Sequence, residues 1–422
     1  MVLLGVAVGL ANVWRFPYLA GRHGGAAFVL VYLLLNFLLG IPAVMAEWTL
    51  GRLTRQGPAG AFVAAGVPWG RGIGFVLFFT VFMAMTYYVL IVGQVLFYAI
   101  HMVLGFTVGA DPAAFYRTRL GGINAWNLAV TTLTFAGMGS VVYMGVRRGI
   151  EAVSRVAMPL VFLSLLVVIA RSVTLPGAEE GLRFYLLPDF SKIDGPAVLA
   201  AMGQVFFSLS LGGTFFLVYG SYLRDDENLP VTAVQTTLGD LVSAVLAGLA
   251  VLPAVFAMGV APTSGPSLLF ITLPGVFSEM PLGAFAGGLF FATFYVASFL
   301  SAIAGMEVLV DGARHYFGWS RGRAIVSLVA VDLLLTLPSM ASSDYILWSD
   351  RIWGSTMQPV GSALTLVALG WFVSRGRALA EVNRGSSIRV GALWIFWIRW
   401  VVPISIGVIL LYGWWAEIRG ES

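Results

Sequence analysis

Apolar runs near or above the roughly 20 residues that a helix needs to cross a bilayer recur along the whole of this 422-residue chain, and nothing else constrains its fold as strongly. Of its residues 59% are hydrophobic and 10% charged, against about 25% charged in an ordinary soluble domain. Such a chain has too little polar surface to fold in water. In lipid every backbone polar group must be satisfied within the protein, so a spanning chain is either a helix bundle or a closed barrel. These runs lack the alternation of barrel strands. The expected fold class is therefore all-α integral membrane.

Hydrophobic spans are expected at about 1–20, 26–50, 72–105, 127–146, 152–172, 197–222, 232–260, 283–316, 321–338, 343–374 and 391–416, numbered here as spans 1 to 11. The connections 105–126 and 173–196 are polar enough to be loops. The 262–282 connection is apolar with prolines at both ends and reads as a hairpin packed into an outer vestibule or as an interfacial helix. The net charge of +4 comes almost wholly from arginine. Arg52, Arg55, Arg71, Arg147 and Arg148 share one side of the membrane if the N-terminus is cytoplasmic, which the positive-inside rule favours. No basic cluster points to a nucleic-acid partner. Cysteine is absent, which excludes disulfides and thiolate chemistry, and the three histidines are scattered.

Spans 1 and 6 look interrupted. Span 1 carries Gly5, Gly9 and Asn12 ahead of Trp14-Arg15-Phe16-Pro17; span 6 carries Ser208, Ser210, Gly212, Gly213 and Thr214 at its midpoint. Each Gly in a helix interior costs about 1 kcal/mol against Ala, and unwound backbone at membrane depth survives only in protein or beside a cavity. Small residues also serve close helix packing. Breaks in two corresponding positions, five helices apart, point instead to an inverted repeat with a site near the midplane.

The motif Val8-Gly9-Leu10-Ala11-Asn12-Val13-Trp14-Arg15-Phe16-Pro17-Tyr18 resembles the first-helix signature of the neurotransmitter:sodium symporter family. The similarity continues through Gly24-Gly25-Ala26-Ala27-Phe28, Glu47-Trp48-Thr49-Leu50-Gly51-Arg52, Gln204 to Gly212, and Phe270-Ile271-Thr272-Leu273-Pro274. A bacterial member is the standing example of the inverted-repeat transporter fold. The resemblance implies about 11 transmembrane helices in a single domain over 1–422: a first repeat over 1–172, a second over 197–374, and a further helix at 391–416. The chain starts inside helix 1, so a longer first helix from an upstream start is expected.

The resemblance also implies the sites. Sodium site one would use the Ala7 carbonyl, Asn12, Ser208 and Asp240. Site two would use the Gly5 and Val8 carbonyls, the Ala297 carbonyl and Ser301, with Leu300 where many relatives supply another oxygen. An intramembrane carboxylate is costly and a functional candidate by default; the plain alternative for Asp240 is that it reaches water at the inner end of its helix. Animal members carry a neutral Asn there and bind chloride near a hydroxyl one turn on, where this chain has Ala244. Transport independent of chloride is therefore expected.

For the substrate, the amides of Leu10 and Ala11 with Tyr88 would meet a carboxylate, as positive helix ends do, and carbonyls near Phe207 and Ser210 an ammonium. Gly9 stands where monoamine carriers have an Asp, which implies an amino acid. Small walls at Ala84, Gly213 and Gly305 suggest a bulky apolar or aromatic side chain, unless neighbours such as Phe215 refill the space. Arg15 and Asp350, with Tyr88 and Phe207, match the outer gate, and Glu47 the residue that supports the break in helix 6. The inner-gate acid is His315 here.

The expected function is secondary active symport of an amino acid with sodium, by alternating access, in a bacterial inner membrane. The expected partners are the substrate and membrane lipid, with a homodimer left open. A non-transporting amino-acid sensor on the same fold is the alternative, and a channel a more distant one. An intramembrane enzyme is disfavoured: no His-Glu-x-x-His, Gly-x-Ser-x-Gly or Walker loop is present. Glu307, Asp311 and Asp332 read as lone acids near helix ends or in polar packing.

Overall fold

The computed structural model describes residues 9–109, 111–259, 268–279 and 282–419, with backbone alone at 146–158, 268 and 417. Among them every regular element is helical. Spans 2 (Ala26–Thr54), 3 (Gly70–Val103), 4 (Ala125–Met144), 7 (Leu229–Ala257), 8 (Gly283–Phe317), 9 (Arg321–Ala341) and 11 (Ala392–Ala416) are seven helices long and apolar enough to cross a bilayer. Span 10, Ser343–Phe372, makes an eighth together with Arg375–Val382, which turns from it by 117°. Length and hydropathy over the described residues thus give fewer spans than the eleven expected. Span 1 is described only from residue 9, and the side chains of span 5 (Val146–Ser172) only from 159. Span 6 is broken into Gly195–Ser208 and Phe215–Tyr222, each too short to cross alone.

The long spans 3 and 8 lie against each other at the centre. Glycines on span 8 make this approach possible: a Cβ at Gly305 would meet Met85 Sδ at 2.6 Å, one at Gly288 the Val103 backbone at 3.1 Å, and one at Gly312 would overlap the Phe78 ring. Small residues are how membrane helices gain van der Waals contact in a solvent as apolar as their side chains. Span 2 crosses the second half of span 6 the same way, Gly220 lying against the Trp48 carbonyl and Gly51 against that of Leu217. Exposed large apolar residues such as Leu34, Phe37, Leu133 and Leu411 ring the outside, where lipid replaces water.

Two connections expected as loops contain helices. Pro112–Arg119 starts on an Asp111 cap, whose Oδ1 accepts from the Ala114 amide at 2.8 Å. Ala178–Leu186 is anchored by the Tyr185 hydroxyl, which donates to the Val245 carbonyl at 2.9 Å. The apolar 262–282 connection is helical over 268–278, with Phe270, Leu273 and Phe277 buried in the core beside span 8; its other residues up to 267 and at 280–281 lie outside the described residues.

Candidate functional site

The break in span 6 is set by backbone chemistry. Ser210 adopts φ +53° and Gly213 φ +66°, left-handed values that end a helix. The freed amides of Gly212 and Gly213 both donate to Glu47 Oε1, at 3.1 and 3.0 Å. Glu47 is itself completely buried. Orphaned amides in a membrane interior each cost several kcal/mol, so one carboxylate oxygen from span 2 keeps the gap open. A Cβ on Gly213 would overlap Thr365 Oγ1 and sit 2.7 Å from the Gly361 carbonyl. The glycine therefore serves the close crossing with span 10.

Beside this break stands Asp240, on span 7. It is 0% exposed and does not reach water at the inner end of its helix. Its Oδ1 accepts from Asn12 Nδ2 at 2.7 Å, and its Oδ2 from Ser208 Oγ at 2.8 Å and the Tyr32 hydroxyl at 3.1 Å. Asn12 also donates to the Asp240 carbonyl at 3.0 Å, while its Oδ1 accepts the Gly9 amide at 3.1 Å. Three of the four residues expected at sodium site one are thus together; Ala7 lies outside the described residues. The sequence reading missed Tyr32. The available signal was a phenol in an apolar span, a group that takes a partner when buried. One carboxylate among neutral oxygens suits a hard monovalent cation, and no group of three or more His, Asp or Glu that could hold a metal ion occurs among the described residues.

Of sodium site two, Ala297 and Ser301 are in place one turn apart, with Ser301 Oγ 3.5 Å from the Ala297 carbonyl. Gly5 and Val8 lie outside the described residues. A Cβ at Gly9 would lie 2.9 Å from Ser301 Oγ and 3.4 Å from the Tyr88 hydroxyl, so the bare glycine lets span 1 reach span 8.

A cavity of about 60 Å³ joins these groups. Its lining includes Leu10, Ala11, Ala84, Tyr88, Phe207 and Ser210, as expected, and adds Met85, Tyr87, Phe215 and Gln358. Gly213 and Gly305, expected as walls, are absent from it: Gly213 packs on span 10, and the space above Gly305 is filled by Met85 and by Phe215, whose ring lies 3.6 Å from the Cβ position. The refilling by Phe215 considered from sequence has occurred, with Met85 as its larger part.

Above Phe207 the Arg15 guanidinium lies 4.7 Å from the ring centroid. Arg15 Nε is 3.7 Å from Asp350 Oδ2, and its terminal nitrogens donate to Gln204 and Ser355 at 3.0 and 2.8 Å. The Tyr87 hydroxyl donates to Asp350 Oδ1 at 3.1 Å. Gly354 makes the layer tight, since a Cβ there would lie 2.7 Å from each of Asp350, Phe207 and Tyr87. Beyond it a second cavity of about 400 Å³, which Arg15 also lines, opens between spans 1, 6, 10 and 11. The expected pair is therefore part of a larger partition that also involves Phe207, Tyr87, Gln204 and Ser355.

At the opposite end His315 is exposed and stacks edge-on against Tyr316. Glu307, read as a lone acid, is held by Arg321 through two bonds of 2.6 and 3.1 Å. Arg52 is buried and donates to Glu381 Oε1 at 2.6 Å and to the Glu227 carbonyl at 2.8 Å. This contact ties span 2 to the helix Arg375–Val382.

The model of the sodium:neurotransmitter symporter family matches residues 1–107 and 118–416. The chain is 34% identical to an uncharacterized sodium-dependent transporter of Haemophilus influenzae, over 97% of this chain and 95% of that protein. It is 32% identical to the uncharacterized sodium-dependent transporter YhdH of Bacillus subtilis, again over 97% and 95%. The crystal structure of MhsT in complex with L-phenylalanine superposes with a TM-score of 0.90 at 35% identity, covering 97% of this chain and 96% of that one.

Proposed function

Because the chain belongs to the sodium:neurotransmitter symporter family, and is a sodium-coupled transporter rather than an enzyme, we propose that it takes up an amino acid with an apolar or aromatic side chain, driven by sodium and independently of chloride. The observation that carries this reading is the buried Asp240 carboxylate, held by Asn12, Ser208 and Tyr32 beside the break in span 6. Protein supplies a fixed negative charge beside the cation site, and Ala244, one turn on, offers an anion no hydroxyl. The substrate carboxylate would meet the Leu10 and Ala11 amides and Tyr88, and its ammonium the carbonyls around Phe207 and Ser210. Gly9 leaves room for that carboxylate. L-phenylalanine in the MhsT complex supports the substrate class.

Sodium at Asn12, Ser208 and Asp240, and at Ala297 and Ser301, would favour the arrangement in which the two broken helices are held together. Arg15, Asp350, Tyr87 and Phe207 close the outer side of the cavity, and two repeats of inverted topology would tilt about it. A bacterial inner membrane is the proposed location. The test is uptake of labelled amino acids into proteoliposomes with and without an inward sodium gradient, in chloride and in gluconate. Sodium-driven accumulation equal in both anions supports the proposal. Tight binding without accumulation would assign the chain to sensing instead.

A further inference from the structure

Outside the transport site one carboxyl group is placed unlike any other among the described residues. Asp332, on span 9, is 0% exposed, and neither of its carboxyl oxygens meets a hydrogen-bond partner among the described residues. The other buried acids among the described residues face donors: Glu47 the Gly212 and Gly213 amides, Asp240 Asn12 and Ser208, and the slightly less buried Glu381 Arg52. Asp332 shares a helix face with Ile325 and Leu328, at spacings of seven and four residues, and both belong to an apolar core with Phe135 of span 4. Gly139 of span 4 draws the two helices together, its Cβ position lying 3.3 Å from Ile325 and 3.4 Å from Val329. The acid therefore occupies the place of an apolar side chain in a tight seam.

Spans 3, 4 and 8 pack against span 9, and several of their titratable groups are engaged elsewhere. Tyr87 bonds Asp350, Tyr88 the Ser298 carbonyl, Tyr98 the Phe270 carbonyl, and Glu307 Arg321, while Tyr295 stacks on Phe299 and Tyr143 points out at 67% exposure. None of them acts on Asp332. An ionised carboxylate with no partner in such a medium is far more costly than a neutral one. A sodium ion would need several oxygens, whereas the face that Asp332 shares with Ile325 and Leu328 is apolar.

We propose that Asp332 is a proton-binding site in the seam between spans 4 and 9, separate from the sodium and substrate sites. Water supplies the proton, which forms an O–H bond on one carboxyl oxygen as the seam closes. Its loss returns it to water and leaves a charge that only a hydrated seam can hold.

The test is infrared spectroscopy of the full chain in lipid nanodiscs at neutral pH, for wild type, Asp332→Asn and Asp240→Asn. Wild type is expected to show the carbonyl stretch of a protonated carboxylic acid, lost in Asp332→Asn and kept in Asp240→Asn. Asp332→Leu, which fits the apolar seam, provides the same comparison if the Asn variant folds poorly. A spectrum in which every protonated-acid band survives the Asp332 substitutions overturns the proposal. So does a band that disappears when sodium replaces choline at constant pH, because the ligand would then be the metal ion.

Discussion

Asp240 and Asn12 stand 228 residues apart in the chain and meet with 2.7 Å between carboxylate oxygen and amide nitrogen. The contact joins span 7 to span 1, so the charge of one residue holds the conformation of the other. Asp240→Asn keeps the shape and removes the charge. Sodium affinity in uptake assays is expected to fall by about tenfold or more, a loss of ~1.4 kcal/mol, and added chloride to restore part of it. Sodium titrations in chloride and in gluconate check this; an unchanged curve in both would remove Asp240 from the ion site.

Glu47 Oε1 accepts two amides at once. A charged acceptor is stronger than a neutral one, so Glu47→Gln is expected to lower stability by about 1–3 kcal/mol, and Glu47→Ala by more, because both amides lose their partner. Thermal unfolding in detergent measures the order of the three proteins. Equal stability of the Gln and Ala variants would show that the amides find other acceptors.

How far the sequence revealed this site depended on how local each signal was. The break in span 6 was legible because Ser210, Gly212 and Gly213 cluster within four positions, and the motif resemblance brought Asn12, Ser208 and Asp240 forward together. Tyr32 and Tyr87 left only a weak signal: a buried phenol takes a partner, but the sequence does not say which, and only the fold brings Tyr87 to Asp350. Gly305 failed as a pocket wall for a related reason. What fills the space over a glycine is decided by the opposing helix, here by Met85. The burial of Asp332 without a partner among the described residues was not legible, because nothing local distinguishes a buried acid near a helix end from a solvated one.

Arg52 is buried against Glu381, and removing one member of a buried pair leaves the other charge without compensation. Arg52→Met and Glu381→Leu are each expected to cost about 3–5 kcal/mol, and the double variant to recover much of that loss. The double-mutant cycle is read from thermal melts, alongside protease accessibility of the Arg375–Val382 helix. Additive losses would mean that the carbonyl bonds from Arg52, and not the ion pair, hold this corner.

Met85 determines whether the small walls around the cavity make room for a large substrate. Its Sδ lies 2.6 Å from where a Cβ on Gly305 would be, and Phe215 closes the same space from the other side. The two side chains differ in kind: a phenyl ring packed in a core is rigid, whereas methionine has three rotatable bonds and fills irregular gaps. Met85 is therefore the wall that can move when a bulky side chain enters. Met85→Ala would leave that volume open and is expected to raise the preference for tryptophan over leucine by about tenfold, the scale of a few methylenes in an apolar pocket. Met85→Ile, similar in volume but branched at Cβ and stiff at χ1, is expected to shift the preference the other way. Competition of both amino acids against labelled phenylalanine in proteoliposomes measures the ratio. A ratio unmoved by either substitution would place the size limit at Phe215, and Phe215→Ala would then be the variant that shifts it.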